Sequence, residues 1–122
     1  MAECPHTAQL ASVKDRALRL DPTRTYIDRI EHWIDLRDEA LSSGHRLTAA
    51  SYSKHLGDEL HHLDLALDAF ILTLVSICEV RGIPAEPELS HYRRYQNRVR
   101  ALTPDAVEPQ RTPRVPREYG PY

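Results

Sequence analysis

The sequence predicts an all-α fold, a small helical bundle with one long central helix that is completed by self-association. Apolar residues recur every three or four positions along most of the chain, which is the period of an amphipathic helix. Glycine accounts for only 4 of 122 residues, too few for a turn-rich β-sandwich or a glycine-rich phosphate loop. The 41% apolar share suits one small globular domain and excludes a chain that is disordered throughout.

The central helix is predicted over residues 48–81. Thr48 is its expected N-cap, and Gly82 followed by Pro84 is expected to end it. Seven apolar residues within this helix are spaced alternately by four and three positions, which makes an uninterrupted heptad seam. We expect this seam to be the interface of the bundle. Its members are Leu56, Leu60, Leu63, Leu67, Phe70, Leu74 and Ile77.

Shorter helices are predicted on both sides of the central helix. Asp21 followed by Pro22 is a strong start signal for the second helix, and Gly44 suits the left-handed C-cap position that ends it. The shorter helices are expected over residues 7–20, 22–42 and 87–102.

The helices define one helical-bundle domain at residues 7–102. Residues 1–6 are expected to form a disordered N-terminus. Residues 103–122 contain five prolines and three arginines, so we expect an extended Pro/Arg-rich tail, since proline lacks an amide proton and blocks a helix.

Helix lengths favour association with a second copy. The first two helices can line one face of the central helix end to end, but Leu65, Leu72 and Val75 lie outside the seam on its far side. An exposed apolar stripe on a long helix is typical of a partner surface, and a two-fold dimer is the commonest solution. In the alternative, the fourth helix folds back and covers these residues in a monomer.

The charge is divided unevenly along the chain. Residues 1–88 carry 9 basic and 15 acidic side chains, whereas residues 89–122 carry 7 basic and 3 acidic ones. The arginines of the fourth helix could bind a protein partner or, with Tyr92 and Tyr95, the phosphates and bases of a nucleic acid. They could equally dock against the acidic body of the same chain. These candidate anion-binding residues are Arg93, Arg94, Arg98 and Arg100.

One face of the central helix carries residue types that bind metals. His55, Glu59 and His62 are three and four positions apart, which places their side chains on one face of a helix. With Glu31 of the second helix, the spacing is similar to that of the small encapsulated ferritins. That resemblance implies an iron site across a dimer interface. The same side chains could instead form hydrogen bonds along the flank of the seam.

An alternative metal set is entirely acidic. Carboxylates on two packed helices suit Mg²⁺, which prefers hard oxygen ligands. The set comprises Asp35 and Glu39 of the second helix and Asp64 and Asp68 of the central helix. As solvated acidic faces of amphipathic helices, the same residues would bind no metal.

The same region resembles the all-α MazG-type nucleoside triphosphate pyrophosphohydrolases. The resembling stretches are residues 64–75, Arg81-Gly82-Ile83-Pro84 and Asn97-Arg98. The resemblance implies Mg²⁺-dependent pyrophosphate release from nucleotides. The chain departs from the family pattern, since Asp35-x-x-Asp38 stands for the first Glu-x-x-Glu pair and Leu65 occupies the place of a glutamate.

The functional expectation is a non-enzymatic helical interaction protein without a cofactor. It would self-associate through its leucine-rich helix and hold a partner with its basic C-terminus. We expect a cytoplasmic location and no membrane association, because Cys4 and Cys78 form no disulfide framework and the first 20 residues contain no apolar signal stretch.

Overall fold

The architecture is a three-helix bundle in a computed structural model, which describes residues 13–105 and residue 109. Its helices are α1 (Thr23–Ser42), α2 (Arg46–Arg81) and α3 (Glu88–Arg100), preceded by a helical stretch at residues 13–18. The described residues contain no strand, so the predicted all-α fold with one long helix is confirmed. The start of the first predicted helix, the N-terminal segment 1–6 and most of the predicted tail lie outside the described residues.

Asp21 and Pro22 set the start of α1 as predicted. The Asp21 carboxylate accepts a hydrogen bond from the Thr23 backbone N–H at 2.8 Å and a second one from the Thr23 hydroxyl. This is the standard N-cap arrangement, which satisfies an amide that the first turn of a helix leaves unpaired. The Tyr92 hydroxyl of α3 donates to the other Asp21 oxygen at 2.9 Å, so the cap also ties α1 to α3.

The connection from α1 to α2 is shorter than predicted. Gly44 adopts the left-handed conformation with φ of 77°, as its place after the helix predicts. His45 alone then separates Gly44 from α2, which begins at Arg46. The prediction that Thr48 caps this helix is therefore wrong: Thr48 lies within the first turn, because the chain re-enters the helix directly after the glycine.

The seam of α2 forms the core of the single chain. Six of its seven residues are between 0 and 8% exposed, and Ile77 is partly buried. Helices α1 and α3 both pack on α2 and supply the opposing side chains. Because the chain buries the seam itself, a second copy has to use another face of α2. The opposing side chains include Ile27, Ile30, Ile34, Tyr92 and Val99.

Helix α3 folds back on α2 after the left-handed turn at Gly82, whose φ is 67°. Leu89 and, just beyond the helix, Leu102 are partly buried against the core. The residues that α3 buries fully are Tyr92, Tyr95, Gln96 and Val99. Their spacing of three, one and three positions is that of one helix face. No helix of the described residues is long and apolar enough to cross a membrane.

Candidate functional site

The outer face of α2 is an apolar surface that the described part of the chain leaves uncovered. Leu65 is 52% exposed, Leu72 66% and Val80 82%, whereas most large apolar residues of α2 are buried. Ala69 and Ser76 lie between them at helical spacing and are also exposed. We call these five residues the outer stripe; it runs from Leu65 to Val80, about 22 Å along the helix.

The C-terminal end of the outer stripe borders a groove against the helical stretch at residues 13–18. The groove has a volume of about 630 Å³, and Leu20 at its edge is 60% exposed. An arginine lies at the groove on each side, Arg16 from the helical stretch and Arg81 from α2. The other lining residues are Val13, Ala17, Ser76, Ile77 and Val80.

A second surface lies between α1 and α2, on the flank of the seam. The ring of His55 stacks on Trp33 with centroids 4.6 Å apart and planes 15° apart, and Tyr52 lies against the same indole at 5.9 Å. One turn further along, Arg29 Nε lies 3.4 Å from Glu59 Oε2. Helices α1 and α2 run antiparallel, so Arg29 and Trp33, four residues apart on α1, face Glu59 and His55, four residues apart on α2.

Each candidate metal ligand takes part in a different contact. His55 belongs to the aromatic stack and Glu59 to the ion pair with Arg29, while His62 lies beside His61 with ring centroids 6.3 Å apart. Glu31 is two residues after Arg29, about 200° around α1, and so belongs to another face. Within residues 13–105, no three His, Cys, Asp or Glu side chains come together as a metal site.

The acidic pair on α2 faces α3 rather than α1. The Gln96 amide donates to Asp64 at 2.9 Å and to Asp68 at 2.6 Å, and Arg100 Nε lies 2.8 Å from Asp64. Asp64 and Asp68 therefore do not meet the α1 carboxylates Asp35 and Glu39 across one interface. These contacts instead join the basic helix α3 to acidic residues of α2 in the same chain.

The four candidate anion-binding arginines differ in their surroundings. Arg100 is engaged with Asp64 and Asp68, whereas Arg93 and Arg94 are exposed on the outer side of α3. Arg98 is also exposed, and its side chain is not without a partner in the structure. The tyrosines beside them, Tyr92 and Tyr95, are 0 and 1% exposed, so their rings are not available to stack on bases.

Sequence reasoning missed a fully buried arginine. Arg37 has 0% exposure and donates to the Pro104 carbonyl at 2.5 Å, with Asp38 as its counter-ion at 3.2 Å. Pro104 in turn lies over Gly57, where an added Cβ would be 3.5 Å from the proline ring, an ordinary contact distance. The one available indication was position, since Arg37 lies three residues after Ile34 on the apolar face of α1.

Lys14 is a partly buried charge that sequence reasoning also missed. Its ammonium donates to the Pro84 carbonyl at 2.7 Å and lies 2.8 Å from Glu88 Oε2, joining the helical stretch to the α2–α3 loop. The Cys78 thiol is buried nearby, and this burial raises its pKa. A buried thiol with a raised pKa is a poor nucleophile, so it supports no cysteine chemistry.

The described residues define a class of structure, an all-α bundle whose longest helix has an apolar face that these residues leave uncovered. Comparison with the models of known protein families, with curated proteins and with solved structures finds no match.

Proposed function

We propose that this chain is a non-enzymatic helical interaction protein of the cytoplasm that self-associates through the outer stripe of α2. The observation that supports the proposal is the exposure of Leu65, Leu72 and Val80 on one face. Contiguous apolar surface of this kind is typical of a protein interface. The exposed arginines of α3, Arg93 and Arg94, are proposed to bind the acidic surface of a further partner.

The order of side chains along the outer stripe favours a second copy as the occupant. From Leu65 to Val80 the side chains alternate large, small, large, small, large, so the pattern is nearly the same in both directions. Two antiparallel stripes related by a two-fold axis near Leu72 would therefore set Ala69 opposite Ser76 and Leu65 opposite Val80. A two-fold interface requires this kind of self-complementarity.

The expected affinity is modest. Burial of the exposed half of each large stripe residue, with Leu20, contributes on the order of 10 kcal/mol gross for two copies. The loss of translational and rotational freedom offsets much of that amount. We therefore expect a dissociation constant in the micromolar range.

The test is the solution mass of the wild-type chain and of Leu72→Asp by light scattering over a concentration series. The wild-type chain should approach about 28 kDa, twice its own mass of 14.0 kDa, and Leu72→Asp should remain near 14 kDa with unchanged helicity. Leu47→Asp is the matched control, because Leu47 is also on α2 and is 90% exposed but lies outside the stripe. A wild-type mass of one chain at about 100 μM would contradict the proposal.

A further inference from the structure

The groove at the C-terminal end of α2 is formed by two facing rows of side chains. The row before α1 has intervals of three, one and three positions, which places its members on one helix face. The row on α2 consists of two adjacent pairs, one turn apart. Each row thus contributes apolar side chains and one arginine. The rows are Val13, Arg16, Ala17 and Leu20 before α1, and Ser76, Ile77, Val80 and Arg81 on α2.

The groove has the size of a small-molecule site. Its volume of about 630 Å³ lies within the range of roughly 300–1,000 Å³ that such sites occupy. Ala17 is buried at the groove, whereas Leu20 and Val80 are exposed. An apolar chain that lies along the groove would remove both exposed side chains from water, which is favourable.

Two arginines give the groove a charge opposite to that of most of the bundle. Residues 1–88 carry 9 basic and 15 acidic side chains, yet none of the described residues that line the groove is acidic. Arg16 and Arg81 are exposed, and neither guanidinium has an ion pair or a hydrogen bond to a residue that the structure describes. A guanidinium binds carboxylate and phosphate oxygens through two parallel hydrogen bonds. The groove therefore offers an anion two donors beside apolar surface.

We propose that this groove binds a small anionic amphiphile, a molecule with an apolar chain and one carboxylate or phosphate head. The head pairs with Arg16 and Arg81. The chain lies on Val13, Leu20 and Val80 and covers their exposed apolar surface.

A second copy of the chain would leave the two arginines without a counter-ion. In the antiparallel arrangement proposed for the outer stripe, Val80 lies opposite Leu65, so the groove faces residues near Leu65 on the edge of α2 that carries Ile77. None of these residues is acidic. They are His62, Ala66 and Ala69. A small anion supplies the missing negative charge, so an amphiphile is the better occupant.

The binding site and the proposed dimer interface overlap without depending on each other. Ser76 and Val80 belong to both the groove and the outer stripe. A second copy on the stripe would therefore compete with the ligand. Leu72→Asp, which lies outside the groove, removes this competition, so binding is measured for this variant as well as for the wild-type chain.

The experiment is isothermal titration calorimetry with decanoate and with decyl phosphate, each below the concentration at which it forms micelles. We expect one molecule to bind per chain. Affinity should rise by about two- to fourfold for each methylene from octanoate to decanoate, because each added methylene is buried in the groove. Tighter binding of decanoate assigns a carboxylate head to the ligand, and tighter binding of decyl phosphate assigns a phosphate head.

A pair of double variants tests the two arginines. Arg16→Gln/Arg81→Gln should weaken binding of either ligand by about tenfold or more, because the charge-assisted hydrogen bonds to the head are lost. The matched control is Arg19→Gln/Arg46→Gln, which removes the same charge from two exposed arginines outside the groove. The control should bind within about twofold of the wild-type chain, and circular dichroism should show unchanged helicity for both double variants.

Absence of binding by decanoate and decyl phosphate up to about 1 mM, in the wild-type chain and in Leu72→Asp, would overturn the proposal. Equal losses in the two double variants would also overturn it, because the groove arginines would then have no specific role. A wild-type chain that remains a monomer would contradict the proposed dimer alone. In that case both chains should still bind decanoate, with equal affinity.

Discussion

At the scale of single residues, the buried Arg37 and the partly buried Lys14 are the features that the sequence pattern did not predict. Periodicity identifies apolar side chains on a helix face, but it assigns every arginine and lysine to the surface. Arg37 is buried and Lys14 partly buried because backbone carbonyls from segments distant in the sequence, at Pro104 and Pro84, accept their hydrogen bonds. Such partners become visible only when the tertiary structure is known.

Replacement of Arg37 by alanine should lower the free energy of unfolding by about 3 kcal/mol, because Asp38 and the Pro104 carbonyl lose their common partner. Urea unfolding followed by circular dichroism measures the change. The exposed Arg46 is the control, and Arg46→Ala should stay within about 0.5 kcal/mol of the wild-type chain. Equal effects of the two substitutions would mean that the Arg37 contacts contribute nothing to stability.

The buried Cys78 thiol should make the fold less stable in alkaline solution. Burial raises its pKa, so the unfolded thiol ionises first as the pH rises. The contribution is complete below the unfolded pKa of about 8.5 and is lost as the pH rises towards the folded value. Urea unfolding at pH 7 and pH 9 should show this loss, and Cys78→Ala should show a smaller one. The same slope in both proteins would exclude Cys78 as its cause.

At the scale of helices, start and stop residues were predictable where a local rule decides them. Asp21 caps α1 and the glycines at 44 and 82 end their helices, because each effect depends on neighbouring residues only. The buried face of α3 was less predictable, because either Leu89 and Leu102 or Tyr95 can share a helix face with Tyr92 and Val99. Tyr95 belongs to the buried set, and its spacing from Tyr92 and Val99 was the available indication.

Gly57 within α2 and Gly82 directly after it should respond in opposite ways to alanine. At Gly57 an added Cβ would lie 3.5 Å from the Pro104 ring, an ordinary contact, so Gly57→Ala should raise the free energy of unfolding by up to about 1 kcal/mol. At Gly82 the φ of 67° disfavours any side chain, so Gly82→Ala should lower it by about 1 kcal/mol. Thermal unfolding of both variants tests the pair, and a destabilised Gly57→Ala would contradict the contact with Pro104.

At the scale of the whole molecule, the sequence predicted which residues share a surface more accurately than what that surface does. Helix lengths predicted that Leu65, Leu72 and Val75 stay uncovered. The structure leaves Leu65 and Leu72 more than half exposed, whereas Val75 is partly buried against the core. The histidine and carboxylate positions were also correct as a common helix face. Their chemistry was not predictable, because their partners come from a different helix. Trp33 stacks on His55, and Arg29 forms an ion pair with Glu59.

Salt should strengthen the proposed dimer. Asp68 and Glu79 lie 11 residues apart on one edge of the outer stripe, with Arg100 3.5 Å from Asp68 as the cation there. Antiparallel pairing would bring this net acidic edge of both copies together. Added NaCl screens this repulsion, so the dissociation constant should fall by a few-fold between about 0.05 and 0.5 M salt. Sedimentation equilibrium measures it, and Glu79→Gln should weaken the dependence. A dimer that dissociates in salt would contradict the antiparallel arrangement.

The position of Lys14 has a practical consequence for chemical labelling. The sequence has two lysines, and the Lys14 side chain is 14% exposed and bonded, whereas Lys54 lies exposed on α2. An amine-directed reagent should therefore acylate Lys54 first and leave Lys14 intact while the helical stretch at residues 13–18 stays in place. Acylation of Lys14 would then report the detachment of that stretch alone, well before the bundle as a whole comes apart.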